Sequence, residues 1–237
     1  MHIIKQAALA ISSPLRLLIR HEIRKSPMPG NQDISSALQH LATLSTAEYV
    51  LSNLRGVDSE TSEIDVLTKA IHSAEILNDK LVLEFGVFSG RTINHIAKYV
   101  NGQIHGFDSF EGLPERWRDG FKKGHFAVNG LPKVGHNVRL WKGWFHEALP
   151  EFLKTHGQDI ALLHIDCDLY SSTKYVLTEL SDRIKSGCVI VFDEYFNYPE
   201  WEHGEYKAFQ EFISEQGLSY KYLCFNRFHE QVAVKIL

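Results

Sequence analysis

Acidic residues stand at the ends of four short apolar runs in the middle of this chain. Glu84 follows Leu81-Val82-Leu83, and Asp108 follows the run 103–107. Asp166 and Asp168 follow the run 160–165, and Asp193-Glu194 follow 188–192. Runs of this length and composition predict buried strands. In an open parallel sheet, ligands bind beyond the carboxyl ends of the strands. The acids therefore converge on one crevice, and the chain is an enzyme candidate.

The first crevice wall is a glycine turn, Glu84-Phe85-Gly86-Val87-Phe88-Ser89-Gly90. Glycine permits tight backbone approach and positive φ, and a helix starting after Gly90 offers free N–H groups. Asp108 lies 18 residues beyond Gly90 (108 − 90), a spacing suited to an acid that accepts hydrogen bonds from ribose hydroxyls. The spacing is G-x-x-x-G and lacks the third glycine of dinucleotide sites; a plain tight turn is the structural alternative. Glu84 adds to the signal, because a charge inside an apolar strand is costly without a partner. A ligand's ammonium is a suitable partner. A cofactor with an amine and a ribose but no pyrophosphate fits this wall better than NAD.

The opposite wall holds Asp166, Asp193 and Glu194. Carboxylates without thiolates or a histidine set suit a hard cation such as Mg²⁺. Helix capping by Asp168 or Ser171 is the competing explanation. His164, within its strand, reads as a satisfied core residue. The loop 197–204, with Tyr198, Trp201 and His203, suits a cover over a ring-shaped acceptor, or a surface lid without a chemical role. His125, His136 and His146 show no ligand spacing.

The elements that must position these residues alternate. Strands at 81–85, 103–107, 138–141, 160–165 and 188–192 are separated by helices near 91–99, 148–155, 172–184 and 206–215, which predicts βαβ units and a mostly parallel sheet. Runs at 220–225 and 231–236 read as a C-terminal hairpin closing it. Residues before 80 read as auxiliary helices: one from Ser13-Pro14, a break at Ser26-Pro27-Met28-Pro29-Gly30, then stretches at 34–54 and 61–77. We expect an N-terminal helical extension over 1–60 and a catalytic domain over 61–237. The apolar N-terminal helix has two destinations, a second subunit in a homo-oligomer or its own sheet.

Four segments together resemble the macrocin O-methyltransferase family of class I S-adenosylmethionine-dependent methyltransferases, which modify sugars and phenols in antibiotic biosynthesis. They are the 84–90 turn, Phe107-Asp108-Ser109-Phe110-Glu111-Gly112-Leu113-Pro114, Asp166-Cys167-Asp168-Leu169-Tyr170-Ser171-Ser172-Thr173, and Asp193-Glu194-Tyr195. The resemblance covers about 80–215. It implies a Rossmann-like α/β sheet of seven strands. Glu84, Gly86 and Gly90 would hold the methionine portion of S-adenosylmethionine, Asp108 the ribose, Ser109 and the 110–114 loop would wrap the cofactor, and Trp144 or Phe145 would lie near adenine. Asp166 would border the cofactor and, with Asp193 and Glu194, hold Mg²⁺. The family's usual pair at 193–194 is Asp-Asp; Glu194 is one methylene longer. Asp168 would serve as general base.

A formal net charge of −4 argues against nucleic acid as the main partner. The exception is the stretch 5–25, with Lys5, Arg16, Arg20, Arg24 and Lys25 against Glu22, which reads as a solvated face or partner arm. Cys167, Cys188 and Cys224 make no disulfide framework and fit a reducing cytoplasm. The apolar stretch 7–11 is too short for a membrane span. The expected acceptor is a small-molecule hydroxyl, in natural-product or glycan biosynthesis. Two alternatives stand beside it: an NAD-dependent oxidoreductase or epimerase, disfavoured by the missing third glycine and the absence of a Tyr-x-x-x-Lys pair, and a binding protein that kept the fold but lost activity.

Overall fold

The computed structural model describes residues 33–77 and 79–237. The helix expected from Ser13-Pro14, the break after it and the basic stretch lie outside the described residues. The chain divides into two compact units, Met1–Leu38 and Gln39–Leu237, and the site lies in the second.

Helix α1 (Ile34–Asn53) is followed by β1 (Asp58–Glu60), α2 (Glu63–Ser73), β2 (Leu81–Phe85) and α3 (Arg91–Ile96). Then come β3 (Ile104–Asp108), β4 (Val138–Lys142), α4 (Phe145–Leu153), β5 (Ile160–Ile165), α5 (Tyr170–Glu179) and β6 (Val189–Phe192). Helix α6 (Glu205–Gln216), β7 (Tyr220–Asn226) and β8 (Val232–Ile236) complete the element order. The sheet runs β1-β7-β8-β6-β5-β2-β3-β4. Only β8 is antiparallel to its neighbours.

This is a mostly parallel sheet whose antiparallel pairings are those of the C-terminal strand β8. Among the described residues it has eight strands where seven were expected. The addition is β1, whose Asp58-Ser59-Glu60 carries no apolar pattern and pairs with β7 at the sheet edge. The hairpin therefore does not close the sheet; β1 lies outside it. The helix expected over 91–99 ends at Ile96 and continues as a turn.

Strand residues alternate between faces. Leu83, Phe85, Leu163, Ile165, Ile190 and Phe192 face one core, packed with Leu149 and Phe152 of α4, Val176 and Leu177 of α5, and Phe209 and Phe212 of α6. Val82, Ile104, Leu162, Val189 and Val191 face the other, with Val66, Leu67, Ala70 and Ile71 of α2 and Ile93 and Ile96 of α3.

The chain proceeds outward from β2 through β3 to β4 on one side, and from β5 to β6 on the other. The reversal falls between β2 and β5, where a topological switch opens a crevice beyond the strand ends.

Candidate active site

Strand ends are tied laterally as they enter this crevice. The amide of Gly86 donates to Phe107 O at 2.9 Å, Asp166 N to Phe85 O at 2.9 Å, and Asp193 N to Ile165 O at 2.9 Å. Gly86 has φ +91°, and a Cβ placed there would lie 1.8 Å from the carbonyl oxygen of Asp166. Only glycine lets the two walls approach this closely. Gly90, with φ +80°, starts α3.

Beyond these ends lies a cavity of about 920 Å³, at the upper end of the range for small-molecule sites. Gly86, Asp108, Ser109, Trp144, Asp166, Asp168, Asp193 and Glu194 all line it. Glu84 does not. Its carboxylate is sealed in the core, 2.9 Å from His164 Nδ1 and 3.2 Å from Thr92 Oγ1. The ammonium partner expected of a ligand is supplied from within by an imidazole. Burial pushes Glu84 up, and the bond to Glu84 holds His164 above its ordinary value despite burial.

Asp108 organises the cofactor wall. Its Oδ2 accepts from the amides of Val87 at 2.9 Å and Phe88 at 2.8 Å, and its Oδ1 from Phe110 N at 2.6 Å. Two amides of the glycine turn are thus already used. Each carboxylate oxygen offers about two lone pairs, so Oδ1 keeps acceptor capacity toward the cavity. Ser109 is buried beside it and accepts from Glu111 N at 3.1 Å. Trp144 is half-buried at the start of α4; Phe145 also lines the cavity and packs edge-on against Phe85.

On the acid wall, the structure brings Asp166, Asp168 and Glu194 together, with ligand oxygens all within 4.8 Å of one another. Asp168 belongs to this set although it was expected only as the base. It is the central residue of a tight turn in which Leu169 N donates to Cys167 O at 2.6 Å, and its φ is +61°. Asp193 lies outside the set; its Oδ1 accepts from Gln231 Nε2 at 3.0 Å. The longer Glu194 reaches in, and its Oε2 is buried with no hydrogen-bond partner. An oxygen-only donor set with an orphaned buried carboxylate oxygen fits a hard divalent cation.

Burial and the neighbouring charge of Asp193 push Asp166 and Glu194 up, and push Asp168 up to about 7. Beneath them, wholly buried, lies Glu205, the first residue of α6, which sequence reasoning missed.

The outer cavity is aromatic. Trp117, Phe121 and Phe126 line it from the β3–β4 connection, with Phe88 packed edge-on against Phe126. Arg118 stacks on Trp117 at 3.9 Å and pairs with Glu230 at 3.0 Å, pinning that connection to the β7–β8 turn. His146 and His229, given no role from sequence, also line the cavity. The 197–204 loop does not cover it as expected. Tyr198 and Trp201 are buried, with Trp201 Nε1 bonded to Ser45 Oγ at 2.9 Å, and His203 points to solvent outside the lining.

The chain matches the family described as a methyltransferase domain over residues 83–195. That segment is a methyltransferase domain. It holds the glycine turn, Asp108 and the acid cluster, and it bears out the resemblance read from the four motif segments. Two curated relatives are similar. Demethyldecarbamoylnovobiocin O-methyltransferase of Streptomyces niveus is 28% identical over 122 residues, covering 43% of this chain and 45% of that one. The 8-demethyl-8-(2,3-dimethoxy-alpha-L-rhamnosyl)-tetracenomycin-C 4'-O-methyltransferase of Streptomyces olivaceus is 29% identical over 109 residues, covering 37% and 40%. The matches thus span less than half the length of these relatives. Among solved structures, the calicheamicin methyltransferase CalS11 superposes with TM-score 0.60 at 24% identity, over 89% of this chain and 94% of that one. The O-methyltransferase NovP does so with TM-score 0.55 at 19% identity, over 85% and 98%. These two place the methyltransferase domain in a shared fold. Among the described residues, no helix is long and apolar enough to cross a membrane.

Proposed function

We propose that this protein is an S-adenosylmethionine-dependent O-methyltransferase acting on a hydroxyl of a small molecule, a sugar or phenol of natural-product or glycan biosynthesis, with assistance from Mg²⁺. The observation that carries the reading is one cavity walled on one side by the glycine turn with Asp108 and on the other by Asp166, Asp168 and Glu194. The domain match favours methyl transfer over the nicotinamide alternative. The named activities of the two Streptomyces relatives and of NovP support oxygen as the acceptor atom.

S-adenosylmethionine, when bound, supplies a methyl group on a sulfonium for in-line displacement. In this reading Oδ1 of Asp108 accepts from a ribose hydroxyl, Ser109 and the 110–114 loop close over the cofactor, and Trp144 lies beside the base. Gly86 and Gly90 would set the course of the turn that holds the methionine end. Mg²⁺, when bound, lowers the pKa of a coordinated hydroxyl. Asp166 and Glu194 would hold it, with Asp168 in the same cluster and Asp193 nearby. Asp168, whose carboxylate lies within the same cluster, would accept the acceptor's proton. Trp117, Phe121 and Phe126 exclude water and present flat faces to a ring-shaped acceptor.

The methyltransferase domain in this reading takes in β1 together with residues 61–237, because Asp58–Glu60 pair with β7 in the same sheet. The three thiols, all buried and free, are ordinary in a reducing cytoplasm. The test is incubation with methyl-labelled S-adenosylmethionine and a panel of sugar and phenol acceptors, with Mg²⁺ or with chelator. Label on an acceptor oxygen in Mg²⁺, abolished by chelator, is the expected result. Transfer to nitrogen or carbon acceptors alone overturns the oxygen assignment, and an unchanged rate in chelator overturns the metal role.

A further inference from the structure

Glu205 is a wholly buried acid that faces no cation among the described residues; its bonds go to three neutral donors. Its Oε1 accepts from Cys167 N at 3.2 Å and from Thr173 Oγ1 at 3.2 Å, and its Oε2 accepts from Glu194 N at 3.2 Å. An acid at the start of a helix ordinarily serves its own helix, by capping or against the dipole. Both oxygens of Glu205 instead reach across to the ends of β5 and β6. Cys167 lies between Asp166 and Asp168, so one carboxylate holds the backbone beneath all three residues of the acid cluster.

We propose that Glu205 is a positioning residue that fixes the spacing of Asp166 and Asp168 relative to Glu194, and so tunes the cluster for a divalent cation. This deepens the function proposed above and rests on its metal site. Only an ionised carboxylate presents two acceptor oxygens to donors on both sides. A glutamine keeps the volume but turns its amide N–H₂ toward either Glu194 N or Cys167 N, setting donor against donor. Glu205 lies outside the cavity lining, so its influence on a bound ion passes through these backbone groups.

The experiment is Mg²⁺ titration of the full chain by calorimetry, without cofactor, for wild type, Glu205→Gln, Thr173→Val and Thr173→Ser. Melting temperatures and S-adenosylhomocysteine affinity are measured alongside. Loss of a partner that orients metal ligands typically weakens metal binding by about 10–100-fold. Glu205→Gln is expected to fall in that range while its S-adenosylhomocysteine affinity stays within about twofold. Thr173→Val should lose less in the same direction, and Thr173→Ser, which keeps the hydroxyl, should restore wild-type affinity. In turnover, the variants should raise the Mg²⁺ concentration for half-maximal rate and leave kcat at saturating Mg²⁺ largely intact.

Unchanged Mg²⁺ affinity in a folded Glu205→Gln overturns the proposal. So do Mg²⁺ and S-adenosylhomocysteine affinities that fall together with melting temperature. Should Glu205→Gln not fold, the Thr173 pair decides: equal Mg²⁺ affinity for Val and Ser overturns it. The cofactor-free titration reads the clamp by itself. A wild type that binds Mg²⁺ but not S-adenosylhomocysteine counts against the methyltransferase reading alone.

Discussion

The carboxylate of Glu84 on β2 lies 2.9 Å from Nδ1 of His164 on β5, and both side chains are sealed from solvent. The two residues are register partners on adjacent parallel strands. They form a polar link across the topological switch, directly beneath the crevice. Removing one partner of such a buried pair costs about 3–5 kcal/mol, because the other is left uncompensated. Glu84→Ala should therefore lower the melting temperature by about 10 °C in a domain of this size. A change within about 2 °C in a thermal melt would show that the pair contributes little.

Asp108 holds three backbone amides, two of them in the glycine turn. Hydrogen bonds to a charged group contribute about 1.5–3 kcal/mol each. Asp108→Ala should release the turn and weaken S-adenosylhomocysteine binding by about 10–100-fold, as read by calorimetry. Wild-type affinity would remove Asp108 from the cofactor site.

Asp168 sits within the acid cluster with its carboxyl pushed up to about 7. Asp168→Asn should bind S-adenosylhomocysteine as wild type does, with turnover reduced about 10²–10⁴-fold, the usual worth of a general base. An undiminished rate across pH would exclude it as the base.

The cluster makes stability depend on pH. Asp168 has a folded value raised to about 7, chiefly by burial. A carboxyl raised in the folded state binds more protons there than in the unfolded chain, so stability falls as pH rises from the unfolded value toward the folded one. In chelator the melting temperature should be higher at pH 5.5 than at pH 8, by several degrees. Mg²⁺ should restore it at pH 8. A flat profile in chelator would mean the acids are not repelling one another.

Much of this arrangement was readable before any coordinates. The apolar runs of β2, β5 and β6 are continuous, and each delivers an acid to the same end of the sheet. What escaped depends on lateral pairing. Glu84 and His164 each stood out, but their match rests on the register between β2 and β5. β1 has no apolar signal, and its place is set by pairing with β7. The exchange of Asp193 for Asp168 in the cluster follows from the turn at Cys167 and from Gln231, which holds Asp193 aside. Glu205 reads in sequence as an ordinary helix-start acid, because its three donors come from elements far apart in the chain.

In the proposed function, the crevice between β2 and β5 takes S-adenosylmethionine. Calorimetric titration of the full chain with S-adenosylhomocysteine, and separately with NAD, tests it most directly. Micromolar, one-to-one binding of S-adenosylhomocysteine and none of NAD is the expected result. Binding of NAD without binding of S-adenosylhomocysteine would contradict it.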